Sequence, residues 1–470
     1  MAPILLWLRR DLRLHDNPAL DWAAKQGRPV IPVWLRDEVV ESWGAAPAWR
    51  AGLGLRTFDE ALRGIGSRLV LRRGPALETL RALVQETGAG TIAFNRLYVR
   101  DERRRDEALS EGLARDGVLV ERFQGHVLFE PSGVATGAGG FYKVFTPYWN
   151  AVRGRELAPP VEAPGALPAP ERWPASDKLE DWELGRRMRR GAEVVARHVH
   201  VGEAAAQARL ERFLRDRADD YVRGRDLLAV DGSSGLSENL TWGEISARRC
   251  WFAALERRGD GHAGAETFLK ELAWRDFSHH LAWHTPGLLD EHWKPQWNDF
   301  PWRGDNPGAE AWRRGCTGIE VVDAAMRELY VRGRMHNRAR MLTASYLTKH
   351  LLTDWRVGSA WFADCLVDWD PASNAVGWQW AAGCGPDASP FFRIFNPDTQ
   401  AEKFDPDGAY RDRWLVERGG GKLARSYFDA IPLSWGMSAD DPYPKRPVVG
   451  LAEGRARALA AFADSRAKAD

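Results

Sequence analysis

The segment "VDWDPASNAVGWQW", residues 367–380, combines side chains suited to hydrogen bonding with side chains suited to stacking. Asp368 and Asp370 can accept hydrogen bonds from sugar hydroxyls or pair with an arginine, and Asn374 can donate to or accept from one heterocycle atom. Trp378 and Trp380 offer flat aromatic faces. A tryptophan-rich helix core with two capping aspartates would show the same residues. Taken alone, the segment supports both interpretations equally.

The segment "DGSSGLSENLTWGEIS", residues 231–246, places small hydroxyl residues and a glycine before a helical pattern. Hydroxyls and backbone N–H groups in such a loop can bind a phosphate. An ordinary loop with an N-cap serine is the favoured interpretation when the segment is read alone. The candidate phosphate ligands are Ser233, Ser234 and Ser237, in a loop that also contains Gly235 and Leu236.

The segment "FLKELAWRDFSHH", residues 268–280, places Glu271 and Arg275 four residues apart, with Trp274 beside them. A helix with an i,i+4 salt bridge and an apolar stripe explains this spacing on its own. The functional alternative places Glu271 and Trp274 on the wall of a pocket.

The segment "RGRMHNRARMLTASYLTKH", residues 332–350, predicts a helix on which Asn337 and Met341 share one face. An asparagine among basic residues suits contact with a base edge or a phosphate. The alternative is that the arginines are simply solvated, which is the better prediction for Arg334. His336 is predicted to be structural.

Strand-like and helix-like patterns alternate over the first 130 or so residues. "PILLWLRR", "RPVIPVWL", "RLVLRRG", "TIAFNR" and "VLVERFQ" predict strands, and helical patterns separate them. This alternation predicts a parallel sheet covered on both faces. No GxGxxG motif follows the first strand, so no dinucleotide fingerprint is predicted there.

Residues 155–175 are rich in proline and alanine and predict an extended linker. Beyond residue 201 apolar residues recur at three- and four-residue steps, which predicts an all-α domain. The length of 470 residues also favours at least two domains.

Composition excludes several classes of protein. The 66 basic and 65 acidic residues nearly balance, so binding to nucleic acid would need a local basic patch. The four cysteines form no CxxC pair and are expected to be reduced thiols. No apolar stretch approaches the roughly 20 residues that span a bilayer, and no signal peptide opens the chain.

Eight segments, taken together and in order, resemble the photolyase/cryptochrome family of flavoproteins, and most closely its bacterial cyclobutane pyrimidine dimer photolyases. A single segment would carry little weight, but eight in order across two predicted domains are specific. They are "WLRRDLRLHDNPAL", "FYKVFTPYWNAV", "SSGLS", "ELAWRDFSHH", "TGIEVVDAAMREL", "RMHNRARMLTASYLTKHLLTDWR", "DWDPASNAVGWQWAAGCGPDASPFFRIFNP" and "QAEKFDPDG".

The resemblance implies an α/β N-terminal antenna domain with a parallel, Rossmann-like sheet (1–131), an interdomain linker (132–200) and a larger all-α FAD-binding domain (201–470). It implies that Tyr221 and the serine loop hold the FAD phosphates. It also implies that Arg340 pairs with Asp368, and that Asp368 and Asp370 line the flavin.

The resemblance also assigns residues to the redox chemistry. Asn374 falls where the family places a residue against flavin N5, and asparagine there is typical of photolyases. A neutral amide can hydrogen-bond to reduced flavin without adding a negative charge beside it. Trp378, Trp355 and Trp302 match the family's chain of three tryptophans, which carries an electron inward to the flavin. Only the resemblance selects these three from the 23 tryptophans of the chain.

The implied activity is light-driven DNA repair. Reduced FAD, excited by blue or near-UV light, donates an electron to a flipped-out pyrimidine dimer, the dimer splits, and the electron returns. Glu271 is implied to hydrogen-bond the dimer, Asn337 and Met341 to touch it, and Trp274 and Trp380 to form an aromatic wedge against it. The residues implied to contact DNA near the lesion are Arg225, Arg275, Arg338, Arg393 and Gln400.

The resemblance says less about which lesion is repaired and which antenna chromophore is bound. The (6-4) enzymes of the family carry histidines, one a proton donor, where Asn337 and Met341 stand here, which favours cyclobutane dimers as the substrate. Folate-binding relatives carry an Asn-Glu pair where this chain has Asp101 and Glu102, so Glu102 is the candidate antenna residue. A folate, a deazaflavin, another flavin or an empty antenna site all remain open.

Two rival functions share parts of this pattern. A cryptochrome, which signals in blue light, would share every flavin residue, but Asn374 and the pocket residues favour repair. An electron-transfer flavoprotein or nucleotide-binding module would leave the lesion-pocket residues unexplained. The expected setting is a monomer in the bacterial cytosol or nucleoid, acting on UV-damaged DNA without a membrane or an obligatory protein partner.

Overall fold

The structure is a computed structural model that describes residues 1–388 and 390–467. The five predicted strands are confirmed, as Ile4–Leu8 (β1), Val30–Arg36 (β2), Val70–Arg73 (β3), Thr91–Asn95 (β4) and Leu119–Phe123 (β5). All pairs are parallel, in the order β3-β2-β1-β4-β5. β1 and β4 are buried throughout, as expected for central strands covered on both faces. The predicted α/β class of this region is therefore confirmed.

Polar side chains fill the crevice at the carboxyl ends of β1 and β4, where the strand order reverses. Asn95 Nδ2 donates to Asp11 Oδ2 at 2.7 Å and to Asn17 Oδ1 at 2.8 Å, and all three residues are buried. Such a crevice is the usual nucleotide site of an open parallel sheet. Here Asp11, Asn17 and Asn95 hydrogen-bond to one another at this edge of the sheet.

The described chain divides into two compact units. The first contains Met1–Arg186, His200–Asp219 and Ser234–Pro286, and the second contains Arg187–Val199, Asp220–Ser233 and Gly287–Asp470. The domain boundaries expected from the sequence, at residues 131 and 200, stay predictions. The α-helices of the first unit are Pro18–Ala24, Glu38–Glu41, Ala45–Gly64, Ala76–Thr87, Arg100–Arg115, Phe145–Val152, Glu203–Asp216, Ser237–Thr241, Ala247–Gly259 and Ala263–His284.

The second unit is helical, as predicted. Tyr346–His350 is a π-helix that continues the helix before it. Residues 155–175 contain no helix or strand, as expected, but they lie within the first unit, and their role as a linker between domains stays a prediction. The α-helices of the second unit are Gly191–Val195, Tyr221–Gly224, Pro307–Arg313, Glu320–Arg332, Asn337–Ser345, Trp355–Cys365, Pro371–Ala382, Pro397–Phe404, Ala409–Trp414, Lys422–Ala430 and Leu451–Ala467. The pattern "GRARALAAFADSRAKAD", residues 454–470, predicts one C-terminal helix, of which residues 468–470 lie outside the described residues.

The helical pattern over residues 318–355 is broken at Gly333. This residue has φ +62°, a left-handed conformation that favours glycine, and a Cβ there would lie 2.6 Å from Val367 Cγ1. The chain therefore ends one helix at Arg332 and starts the next at Asn337, with the His336 side chain accepting from Arg338 N at 3.2 Å. The structural role predicted for His336 is the cap of this helix.

Burial agrees with the remaining expectations. Trp312, Trp355 and Trp414 are large, fully buried side chains of the second unit's core. All four cysteines are free thiols, and burial raises the pKa of Cys250 and of Cys384 to about 12. Within the described parts of the chain, no helix is both long and apolar enough to cross a membrane.

Candidate functional site

Three helices of the second unit, Asn337–Ser345, Trp355–Cys365 and Pro371–Ala382, contribute to a cavity of about 180 Å³. Its wall is polar on one part and aromatic or aliphatic on the rest. The polar lining residues are Asn337, Arg340, Asp368, Asp370, Ser373 and Asn374, and the others are Met341, Ala344, Phe362, Leu366, Trp369, Gly377 and Trp378. Seven residues that the sequence selected therefore share one cavity: Asn337, Arg340, Met341, Asp368, Asp370, Asn374 and Trp378.

The two aspartates have different local partners. Arg340 Nη2 donates to Asp368 Oδ2 at 2.7 Å, and Arg340 Nε donates to the carbonyl of Met335 at 2.9 Å. The ion pair expected between Arg340 and Asp368 is thus present. Asp370 caps the helix Pro371–Ala382, because its Oδ1 accepts from Ser373 N at 2.7 Å. Asp370 therefore caps a helix and also lines the cavity, while its expected role beside a ligand stays a prediction.

Ser359 fixes the orientation of the Asn374 amide. Asn374 Nδ2 donates to the Ser359 carbonyl at 3.1 Å and to the Ser359 hydroxyl at 2.9 Å. A carbonyl oxygen only accepts, so the atom facing it must be the amide nitrogen. The amide oxygen of Asn374 is therefore the atom left to accept a hydrogen bond from a ligand.

Trp378 is a closely packed side chain of the cavity wall and is only 2% exposed. Its ring lies 4.9 Å from Phe362 and 6.0 Å from Trp312, both in edge-on arrangements. A Cβ on Gly358 would lie 2.1 Å from Trp378 Cη2, so only glycine permits this approach. The indole is consequently held in one position.

Trp355 and Trp302 are brought together by the backbone. An isolated bridge pairs Arg303 with Thr353, and Asp354 N donates to the Arg303 carbonyl at 2.8 Å. This pairing sets Trp302 beside the start of the helix that Trp355 opens. Trp355 is fully buried, whereas Trp302 is partly exposed. His292 lies 6.2 Å from each ring.

Lys349 is the unusual charged group of this region. It is 1% exposed, and its Nζ donates to the Phe391 carbonyl at 2.9 Å. Phe391 also packs 6.2 Å from Trp302. Burial lowers the pKa of Lys349 to about 7.

The other predicted residues of the second unit do not line this cavity. Arg338 Nη2 pairs with Asp226 at 2.7 Å, and its guanidinium lies 4.4 Å from the Phe404 ring. Trp380 is partly buried against the core, and Arg393 is exposed. The remaining predicted residues here are Tyr221, Arg225, Ser233 and Gln400, and their assigned roles stay predictions.

Seven further predicted residues, and the candidate antenna residue, lie in the first unit. Trp274 stacks on Phe145 with centroids 3.8 Å apart, and Arg275 Nη1 donates to the His126 carbonyl at 2.8 Å. Glu102 is buried beside Arg10, with Nε and Oε1 3.3 Å apart, and burial raises its pKa. The others are Ser234, Gly235, Leu236, Ser237 and Glu271, and no role assigned in this unit is tested by its structure.

Sequence reasoning missed several residues that shape the cavity. Phe362 and Leu366 line it from the helix that Trp355 opens, and their four-residue spacing was the available signal. Trp369 stands between the two selected aspartates. Ser359 carried no signal, because its role depends on its approach to Asn374 across two helices.

Comparison with known proteins identifies both parts of the chain. Residues 4–169 match the family model "DNA photolyase", and residues 268–464 match "FAD binding domain of DNA photolyase". A curated deoxyribodipyrimidine photo-lyase from Agrobacterium fabrum is 43% identical over 472 residues, covering 98% of each chain.

Solved structures show the same similarity in three dimensions. A bacterial class III photolyase from Agrobacterium tumefaciens matches with a TM-score of 0.91 at 42% identity, covering 99% of this chain and 98% of that one. A cryptochrome from Synechocystis sp. PCC6803 matches with a TM-score of 0.85 at 27% identity, covering 98% and 99% of the two chains. Sequence identity along the whole length and the paired family models agree, and the chain belongs to the DNA photolyase family.

Proposed function

We propose that this protein is a deoxyribodipyrimidine photolyase, which uses blue or near-UV light and reduced FAD to split cyclobutane pyrimidine dimers in DNA. The observation that carries the proposal is the composition of one cavity. It joins the residues expected beside the flavin, Asn374 and the Arg340–Asp368 pair, to those expected beside the lesion, Asn337 and Met341.

The residues present fit a flavin cofactor. A planar heterocycle needs apolar walls and a few convergent polar groups at its edge. The apolar walls would come from Met341, Phe362 and Trp378, and the polar groups from Arg340 and Asn374. When bound and reduced, FAD supplies the electron that light drives into the dimer and takes it back after the ring has opened.

Asn374 and the ion pair would set the electrostatics of the bound cofactor. Since Ser359 engages the Asn374 nitrogen, the amide oxygen is available to accept from an N–H at the flavin edge. Arg340 is held by Asp368, which keeps a positive charge in the cavity wall without leaving it uncompensated. Both features suit a cofactor that is used in its reduced state.

Recognition of the lesion would use a mixed wall. Asn337 can hydrogen-bond a base edge and Met341 can pack against the dimer's apolar face. Glu271 would hydrogen-bond the dimer, and Trp274 and Trp380 would form the aromatic wedge. UV-damaged DNA is the proposed partner, and the nearby contacts would come from Arg225, Arg275, Arg338, Arg393 and Gln400.

The three tryptophans would supply electrons when the flavin is oxidised. Trp378 lies in the cavity wall, Trp355 in the core and Trp302 toward the surface, which is the order that an inward path requires. A second chromophore in the N-terminal domain, with Glu102 near it, stays a proposal without a chosen compound. The same holds for a monomeric state and a bacterial cytosolic setting.

The rival functions differ from the proposed one in which lesion is repaired, or in whether any lesion is repaired. A (6-4) photolyase would repair the (6-4) product, and a cryptochrome would bind FAD without repair. Asn337 and Met341 favour the cyclobutane dimer, since neither side chain can replace a histidine proton donor.

Filling the cavity tests the proposal. A Cβ on Gly377, which lines the cavity, meets no atom within 4 Å, so Gly377→Leu adds apolar bulk at a position that has room for the first carbon of a side chain. We expect this variant to fold, to lose FAD and to lose light-dependent repair. Gly259→Leu, at a helix end with the same open surroundings, is the matched control and should keep both. Full FAD content in Gly377→Leu protein would place the cofactor elsewhere and contradict the proposal.

A further inference from the structure

The three tryptophans of the proposed chain differ in what their indole N–H groups meet. Among the described residues, Nε1 of Trp378 and Nε1 of Trp302 are buried without a hydrogen-bond partner. Trp355 is different, because its Nε1 donates to His292 Nδ1 at 3.1 Å. His292 is itself only 7% exposed, so this hydrogen bond is shielded from solvent. Trp355 is thus the member of the tryptophan chain whose indole N–H group is hydrogen-bonded to a base, the imidazole of His292.

The hydrogen bond fixes the state of the imidazole. Nδ1 must carry a lone pair to accept from Trp355, so the neutral ring carries its hydrogen on Nε2. Arg356 Nη2 approaches Nε2 at 3.5 Å and is also a donor, so the shorter Trp355 contact decides the assignment. Burial lowers the pKa of His292 below its ordinary value, which keeps the ring neutral and leaves proton transfer to it dependent on a donor much more acidic than a resting indole.

The charges around His292 permit it to become positive. Arg356 would repel an imidazolium, but Asp354 binds Arg356 through Nε–Oδ1 at 3.0 Å and Nη2–Oδ2 at 2.6 Å. Asp354 itself favours the protonated form of His292, and Arg356 disfavours it. The pair therefore offsets most of the field that either residue alone would exert.

We propose that His292 accepts the indole proton of Trp355 when Trp355 is oxidised during photoreduction. The inference rests on the proposed function, since it needs the tryptophan chain to operate. Loss of an electron makes an indole N–H far more acidic, and His292 Nδ1 already shares that hydrogen. Trp355 thereby becomes a neutral radical, and the positive charge moves to the imidazole.

The step balances in electrons and protons. Photoexcited, oxidised FAD is the oxidant, and Trp378 passes the electron inward and is refilled by Trp355. Trp355 loses one electron to Trp378 and one proton from Nε1 to His292 Nδ1. When Trp302 returns an electron to Trp355, the proton goes back from Nδ1 to Nε1. No group is consumed, and His292 delays the return of the electron because the reverse transfer must also move a proton.

The test isolates Trp355 by removing Trp302, so that electron transfer along the tryptophans ends at Trp355. In a Trp302→Phe holoprotein with oxidised FAD, a light flash should leave the electron deficit on Trp355. Transient absorption distinguishes the neutral tryptophanyl radical from its cation by their different visible bands. We expect the neutral radical, formed more slowly in D₂O than in H₂O.

His292→Asn in the same background is the decisive variant. Asparagine Oδ1 can accept the Trp355 hydrogen bond, but the amide does not take up a proton. We expect the neutral-radical band and the solvent isotope effect to disappear, leaving a cation that recombines faster. His198→Asn is the matched control, because His198 is a partly exposed histidine that does not belong to the tryptophan chain. This variant should keep both signals.

Three further outcomes would overturn the inference. A neutral Trp355 radical that persists in His292→Asn would mean that another group takes the proton. If the His292→Asn protein does not fold, time-resolved infrared spectra of the Trp302→Phe protein decide. An imidazolium that appears as the cation decays supports the inference, and its absence refutes it. If the protein with all three tryptophans forms no tryptophanyl radical, the chain and this inference both fail. Repair by chemically reduced protein tests the proposed function separately.

Discussion

Replacing Gly358 by alanine should displace Trp378 and destabilise the second unit. The new Cβ would lie 2.1 Å from Trp378 Cη2, 2.4 Å from Cζ3 and 2.7 Å from Leu347 Cδ2. Carbon atoms in contact stay about 3.5 Å apart, so the indole must retreat by about 1.4 Å. Because Trp378 is 2% exposed and packs edge-on against Phe362 and Trp312, the displaced indole must either move these neighbours or shift into the cavity that it lines. Overpacking of this kind costs about 1–3 kcal/mol, and two clashing neighbours favour the upper end.

Urea unfolding followed by tryptophan fluorescence measures this loss. At about 3 kcal/mol the folded-to-unfolded ratio falls by roughly 100-fold, which is a clear shift of the midpoint. The same sample should retain less FAD and photoreduce more slowly, because Trp378 lines the cavity. Gly304→Ala, at an exposed glycine with no atom near its Cβ position, is the control. Unchanged stability and photoreduction in Gly358→Ala would refute the close packing of Trp378.

Three more predictions follow from buried or pocket residues. The pKa of Lys349 is about 7 when folded and 10.5 when free, so the unfolded state binds more protons between these values and stability rises with pH there. From pH 7 to pH 9 Lys349 can raise the free energy of unfolding by at most about 3 kcal/mol. Urea titrations at several pH values should show that Lys349→Met removes this rise. If the free energy of unfolding of the variant rises with pH as steeply as before, Lys349 is not the source. Glu271→Ala should slow repair while FAD absorbance stays, and loss of the flavin spectrum would refute a role at the lesion. Trp302→Phe should impair photoreduction of oxidised protein but spare repair after chemical reduction; loss of repair by pre-reduced protein would give Trp302 another role.

The fold was largely predictable from periodicity. β1, β2 and β4 were visible as apolar runs, because the central strands of a covered parallel sheet are buried on both faces, whereas the edge strands β3 and β5 are partly exposed. The break at Gly333 was missed although its local signal was present, because a glycine in the left-handed conformation commonly ends a helix. Long-range packing adds only that a side chain at this position would meet Val367, which lies more than 30 residues later.

The sequence predicted which residues belong to the site, but not the hydrogen bonds that orient them. Asp368, Asp370 and Asn374 stood out as polar residues on a tryptophan-rich helix, and the family resemblance separated ligand contacts from core packing. Ser359 and His292 were not selected, because each acts through one hydrogen bond to a residue distant in sequence. Hydrogen-bond partners of this kind leave no spacing pattern.

The most direct test of the central claim is light-dependent repair of two defined lesions by reduced protein. One oligonucleotide carries a cyclobutane thymine dimer and the other a (6-4) product, each with a dark control. We predict repair of the cyclobutane dimer alone, and only in blue light. Repair of the (6-4) product would contradict the assignment of Asn337 and Met341. Repair of neither lesion by protein with bound FAD would contradict the claim that this chain is a repair enzyme.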